Sequence, residues 1–220
     1  MIKNLGLIPR RGDLTRPAFR EYYERRHAPL ALRHLRWFRR YVRNHVVSAT
    51  PADPPFDALS EFWYDNVADL DAVVAFLTSP TGAVLRDDEA QFMNRAGIRI
   101  VRSEESLLFG PARATEQGVV TKQALLMRRA SEASATDFRV DVERACAALL
   151  EPRAPGFARL QLDLPVDPEE PGLVLDALLT AWPDADGRAA FDQLPELPSV
   201  GATTRLRFES IETPPELLRD

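Results

Sequence analysis

The chain has 220 residues, 45% of them hydrophobic and 28% charged, an ordinary globular composition with room for one domain or two small ones. Its formal net charge of −5 and sequence pI near 5.4 exclude a broad basic field for nucleic acid, and no apolar run approaches the roughly 20 residues of a membrane span. A single cysteine, Cys146, excludes an intrachain disulfide. With no secretory signal ahead of the first strand-like segment, it points to a soluble, cytoplasmic protein.

In chain order, residues 2–11 (IKNLGLIPRR) form an apolar run of strand length. Gly12-Asp13 turns the chain, Thr15 supplies an N-cap and Pro17 suits a first helical turn. The helix over residues 15–34 has an inward stripe of Phe19, Tyr23, Arg26/His27 and Leu30. Residues 36–49, rich in β-branched and aromatic side chains, predict a strand, and prolines 51, 54 and 55 break it. Residues 57–65 (DALSEFWYD) predict the next strand. A helix capped by Asn66 follows, with Leu70, Val73, Phe76 and Leu77 on one face. Residues 79–95 read as a turn and a further helical piece, and residues 97–109 as the closing strand.

A polar, turn-prone stretch, residues 110–118 (GPARATEQG), separates this unit from a second one. At a gap-free offset of 119, Lys3 meets Lys122, Leu7 meets Leu126, Phe19-Arg20 meets Phe138-Arg139, and His27 meets Cys146. The second unit predicts a strand over residues 121–130 and a helix over 134–152 capped by Ser134. Strands follow over 157–165 and 173–183, then a short helix near 187–194 and a last strand over 203–211. Each unit has the order β-α-β-β-α-β, which folds into a four-stranded antiparallel sheet with both helices on one face. The bare opposite face needs cover, and a second copy supplies it. The expected fold is therefore α+β, with two ferredoxin-like units (residues 1–110 and 119–220) fused into an intramolecular dimeric α+β barrel. Their sheets should lie face to face and the helices outside. Such a chain completes its barrel alone, as a monomer or as a dimer through its outer surfaces.

Three segments of the first unit, FREYYERRHAPL (19–30), RRYVRNHV (39–46) and FDALSEFWYDN (56–66), followed by SPTGAVLRDDEAQFMN (79–94), resemble the EthD-like family of the dimeric α+β barrel superfamily. The second unit resembles it only through the repeat, with Cys146 in place of the histidine and no Asn-His strand, so a carried-over site belongs to the first unit. The resemblance implies a small organic molecule bound between helices and sheet. The chemistries of its relatives include cyclisation, lactone isomerisation, dehydration, decarboxylation and cofactor-free oxygenation, and some members bind haem.

His27 is the leading catalytic candidate, because it shares the inward stripe and imidazole titrates near neutral pH; the alternative is a core histidine satisfied by a backbone carbonyl. His45 is the second catalytic candidate. Asn44 and His45 point to opposite faces of one strand, and alternation does not say which face meets the helices, because both carry polar residues. His45 is favoured for the cleft and Asn44 is kept as a substrate-binding candidate. Tyr23, Glu61, Trp63 and Phe92 complete the candidate binding set. Glu61 could orient a histidine or pair with a nearby arginine, and aromatics at helical spacing are often plain core. Phe92 and Met93 are expected to close one end of the cleft, and Cys146 to be a small buried residue. The sequence holds no phosphate loop, no nucleophile elbow and no metal motif. The expectation is a cofactor-independent lyase, cyclase or isomerase on a small aromatic or polyketide-like substrate. A cofactor-free oxygenase and a non-catalytic small-molecule or haem-binding accessory protein are the alternatives.

Overall fold

The computed structural model describes residues 1–150, 156–183, 191 and 197–218. Eight strands form one closed antiparallel barrel: β1 (Ile2–Ile8), β2 (Arg40–Thr50), β3 (Ala58–Tyr64), β4 (Arg99–Phe109), β5 (Val119–Arg129), β6 (Phe157–Pro165), β7 (Ala177–Pro183) and β8 (Val200–Glu212). Around the barrel they run β1-β3-β2-β8-β5-β7-β6-β4. Each half is thus a ferredoxin-like sheet, and the halves join edge to edge through β2 with β8 and β4 with β6. This corrects the expectation of two sheets stacked face to face. Every edge is paired, which removes the exposed strand edges that an isolated sheet would present.

The local signals act as their chemistry requires. The Thr15 side chain accepts from the Ala18 N–H at 3.3 Å, that of Asn66 from Asp69 at 3.0 Å and that of Ser134 from Asp137 at 3.0 Å. They open α1 (Arg16–Tyr22), α3 (Val67–Thr78) and α5 (Ala135–Leu149). Helix α1 runs through a π-helical turn, Tyr23–His27, into α2 (Ala28–His34). Pro29 explains the turn: it lacks an N–H for the Arg25 carbonyl and its ring crowds that carbonyl, so the helix widens locally instead of ending. α4 (Ala83–Phe92) follows α3 after a sharp bend at Ser79–Gly82. The short helix expected near 187–194 lies outside the described residues apart from Phe191, which packs into the second core.

The gap-free repeat extends well past the first helix: β3 and β7 are also related by the offset of 119. Alternation sends one face of every strand into the barrel. One end of the interior is apolar, with Leu5, Leu7, Leu59, Leu126, Leu206 and Phe208. The other end holds a buried charge network arranged in repeat-related pairs: Lys3 and Lys122, Arg40 and Arg159, Trp63 and Trp182. Lys3 lies 2.7–2.8 Å from Glu61, Glu105 and Asp163. The linker enters this end, where the Arg113 guanidinium lies against the Trp63 and Trp182 rings and faces Glu61, Glu116 and Glu212. Most linker residues are exposed, but the Arg113 and Glu116 side chains reach from it into this end as a plug. Burial opposes the charge of Glu61, but Lys3, Arg113 and Lys122 outweigh it and hold its carboxyl far below the usual range. Burial likewise opposes the Lys3 ammonium, and its three carboxylates outweigh that and push its pKa up. Lys122 behaves in the opposite way. Burial first, then the charge of Arg113, bring it down to about 8.

Candidate active site

Between the helices and the sheet of the first half lies a cavity of about 720 Å³, a size that takes a small organic molecule. Most of its wall is aliphatic or aromatic, including Leu35, Phe38, Phe62, Val73 and Leu85. The polar groups are few: Asn4, Tyr23, His27, Tyr41, Tyr64, Thr78, Arg86, Glu89 and Arg95.

His27 reaches the cavity from the π turn, a feature that recurs at functional sites. Its Nδ1 lies 2.8 Å from Asp88 Oδ2, and the Tyr22 hydroxyl donates to Asp88 Oδ1 at 2.9 Å. The hydrogen bond with His27 leads the effects that hold the Asp88 carboxyl below its usual value, so it stays ionised and acceptor-only at neutral pH. An ionised Asp88 fixes the Nδ1–H tautomer. It leaves the Nε2 lone pair of a neutral His27 without a partner among the described residues, and His27 is part of the cavity wall. Phe92 sets the ring from the other side, with centroids 5.0 Å apart, and stacks on Tyr22 at 4.8 Å. Asp88 was not among the sequence candidates. It stands four residues before Phe92 on one helical face, and that spacing was a signal for it.

Tyr23 also lines the cavity. Tyr41 donates to the Tyr23 hydroxyl at 3.0 Å, and Tyr23 meets Ser60 Oγ at 2.8 Å. Burial pushes the pKa of both phenols up, so they are neutral donors. Burial also raises the Glu89 carboxyl. Asn4 is 5% exposed, and its Oδ1 has no hydrogen-bond partner. β1 is paired on both sides, by β3 and β4, so the sheet has no free backbone group to offer that amide.

The other sequence candidates lie elsewhere. His45 shares the helix-facing side of β2 with Tyr41 and Arg43, but it lines a different, charged cleft beside Arg16, Arg20 and Glu24. Its Nε2 lies 2.6 Å from Glu24 Oε1, and Arg43 Nε donates to the same carboxylate at 2.9 Å. Burial, then nearby arginines, lower the pKa of His45 despite Glu24. Asn44, Glu61 and Trp63 point into the barrel. Asn44 Nδ2 donates to Glu61 Oε1 at 2.9 Å, and Lys3 lies over the Trp63 ring. The structure gathers Tyr23, His27 and Phe92 into ring contact, with Phe92 behind the cavity wall; Tyr23 also touches His45, which opens on the other cleft, while Asn44, Glu61 and Trp63 lie inside the barrel.

Among the described residues no group of three His, Cys, Asp or Glu side chains could hold a metal ion. Haem would find one axial donor, His27 Nε2, with Asp88 placed to steer the imidazole. Its propionates would also need cations, and both arginines of the lining are committed. Arg86 donates to the Leu77 and Ser79 carbonyls, and Arg95 pairs with Glu89. The lining as it stands does not fit haem. No single helix among the described residues is long and apolar enough to cross a membrane.

Residues 11–96, which hold His27, Asp88 and most of the cavity wall, match the EthD domain family. No curated protein matches the chain. Among solved structures, an anthrone oxidase-like protein is 12% identical, with 96% of this chain and 92% of that chain covered and a TM-score of 0.61. A candidate monooxygenase of Fusobacterium nucleatum is 10% identical, with 95% and 91% covered and a TM-score of 0.53. An EthD family protein of Bacillus halodurans is 22% identical and covers 48% of this chain and 100% of its own, with a TM-score of 0.38. The full-length similarities show a shared fold. Residues 11–96 are thus similar to an EthD domain, and the chain has the fold of a dimeric α+β barrel, with both halves of the barrel supplied by one polypeptide.

Proposed function

We propose that the protein is a cofactor-independent enzyme in which His27 acts as general base, and then as general acid, on a flat, mostly apolar phenolic or polyketide-like molecule. The carrying observation is the His27–Asp88 pair at 2.8 Å on the wall of an otherwise largely apolar cavity of about 720 Å³. A base with one fixed tautomer, sited where little water competes, suits removal of a proton from an acidic carbon or hydroxyl. Neutral Tyr23, which accepts from Tyr41, can donate its own proton to the oxygen on which charge develops. Cyclisation, dehydration or decarboxylation can follow from the anion so formed. The names of the full-length structural neighbours bring a second outcome from the same first step. The carbanion gives electrons to dioxygen, the resulting hydroperoxide loses water, and a CH₂ group becomes a carbonyl. Because the barrel closes within one chain, we propose that the active unit is a single polypeptide.

Anthrone tests this, because its methylene protons are acidic and its oxidation is visible. The wild type should accelerate methylene exchange in D₂O, followed by NMR, and His27→Ala should lose most of that acceleration. Concurrent oxygen uptake selects the oxidative outcome. Binding without exchange selects a carrier role, and a haem absorption band in the purified protein that disappears in His27→Ala overturns the cofactor-independent mechanism.

A further inference from the structure

We infer that Asn4 is a specificity-determining residue that selects, among flat apolar molecules, those bearing a hydroxyl group; this deepens the proposed function and rests on the cavity being its binding site. Three observations converge. Asn4 lines the cavity, its side chain is nearly enclosed, and its Oδ1 is buried without a hydrogen-bond partner. The sheet cannot supply one, since β1 is bonded on both sides. The close approach of Phe62 to β1 is allowed by Gly6, where a Cβ would stand 3.0 Å from the Phe62 ring. An aromatic wall therefore lies beside an amide oxygen that has no partner.

That combination fits a phenol. The ring occupies the apolar wall while the hydroxyl, both donor and acceptor, satisfies the amide in either of its two orientations. A site built to hydrogen-bond a substrate hydroxyl discriminates strongly against the analogue that lacks it, because the site's own polar group is then left unpaired. His27 and Asn4 line the same cavity, so the base and the hydroxyl anchor can engage one molecule.

The test compares 2-naphthol, 2-methylnaphthalene and 2-methoxynaphthalene, with binding measured by calorimetry on the intact protein. The wild type should prefer 2-naphthol over its methyl isostere by roughly tenfold. Asn4→Leu, checked for an unchanged melting temperature, should bind the two equally while retaining the methyl compound. If Asn4→Leu fails to fold, the wild type still decides. Loss of the preference with the methoxy compound, which cannot donate, supports Oδ1 as the acceptor, and equal binding of all three overturns the role of Asn4. If the wild type binds none of the three, the assignment of the cavity as a binding site falls, and Asn4 with it.

Discussion

The two halves of the barrel share one strand order and one offset, but their layers keep that likeness unequally. Inside the barrel the repeat persists as paired lysines, arginines and tryptophans around a common charge network. Outside it, under the helices, the symmetry is lost. The first half keeps a cavity lined by His27 and Asn4, with Asp88 bonded to His27. At the position matching His27, the second half buries Cys146 among Leu125, Met127, Phe138 and Val142. Burial pushes that thiol up to about 12, so it is an inert neutral side chain at physiological pH. The interior layer sets the fold and is constrained from both halves, while the helical layer of each half is free to change. Chemistry could therefore be kept in one half without being kept in the other.

The largest expected effect comes from making the first half resemble the second. His27→Cys should lower turnover by roughly 10²–10⁴-fold, the usual worth of a general acid/base, with the circular dichroism spectrum unchanged. His27→Gln should be equally inactive but bind ligand more like the wild type, which separates proton transfer from positioning. Asp88→Asn should fall in between, because it leaves the base in place but no longer fixes its tautomer. Full turnover in His27→Cys would mean that the cavity, and not the imidazole, distinguishes the halves.

The second effect is on stability and lies in the shared layer. Lys3→Met leaves Glu61, Glu105 and Asp163 without their common ammonium, and removing one partner of a buried ionic cluster typically costs about 3–5 kcal/mol. Denaturant titration should show that loss, while activity per folded molecule persists. A cost below about 1 kcal/mol would show that the network is not what ties the halves together. The chain has only two lysines, at matching positions of the repeat, and both prove to be buried in this network. That pattern was visible in the sequence. What it meant was not, because composition does not reveal that a barrel interior can be charged.

A smaller effect should follow from the reverse exchange. Cys146→His places a larger polar ring in a packed apolar core, and overpacking with an unpaired imidazole should cost about 2 kcal/mol without creating activity. A stable Cys146→His protein would mean that the second half has room for a site. The contrast also explains which parts of the sequence were legible. Caps, turns and helical stripes are local, and Thr15, Asn66, Ser134 and the stripe through Tyr23 and His27 could be read directly. The faces of β2 and β3 could not be told apart, because Asn44 and Glu61 face a polar barrel interior while His45 faces a charged cleft. Barrel closure and the cavity depend on how separate elements pack, which periodicity does not encode.

The smallest effect tests whether the two lysines are true equivalents. Lys122 is fully buried beside Glu61, Glu116, Asn44 and Arg113, and its folded pKa is about 8, against about 10.5 for a free lysine. Between these values the folded chain has lost a proton that the unfolded chain still binds, so stability rises with pH across that window. Lys3 adds no slope there, since its pKa is raised and it stays charged in both states. Above about pH 9 the thiol and buried phenols oppose the trend, because they ionise first in the unfolded chain. Denaturation midpoints should therefore climb modestly from pH 7.5 to 9 and then turn over, and Lys122→Met should flatten the climb. A wild-type midpoint that is level or falling over that range would mean that Lys122 is as fully charged as Lys3, and that the two halves are matched in electrostatics as well as in position.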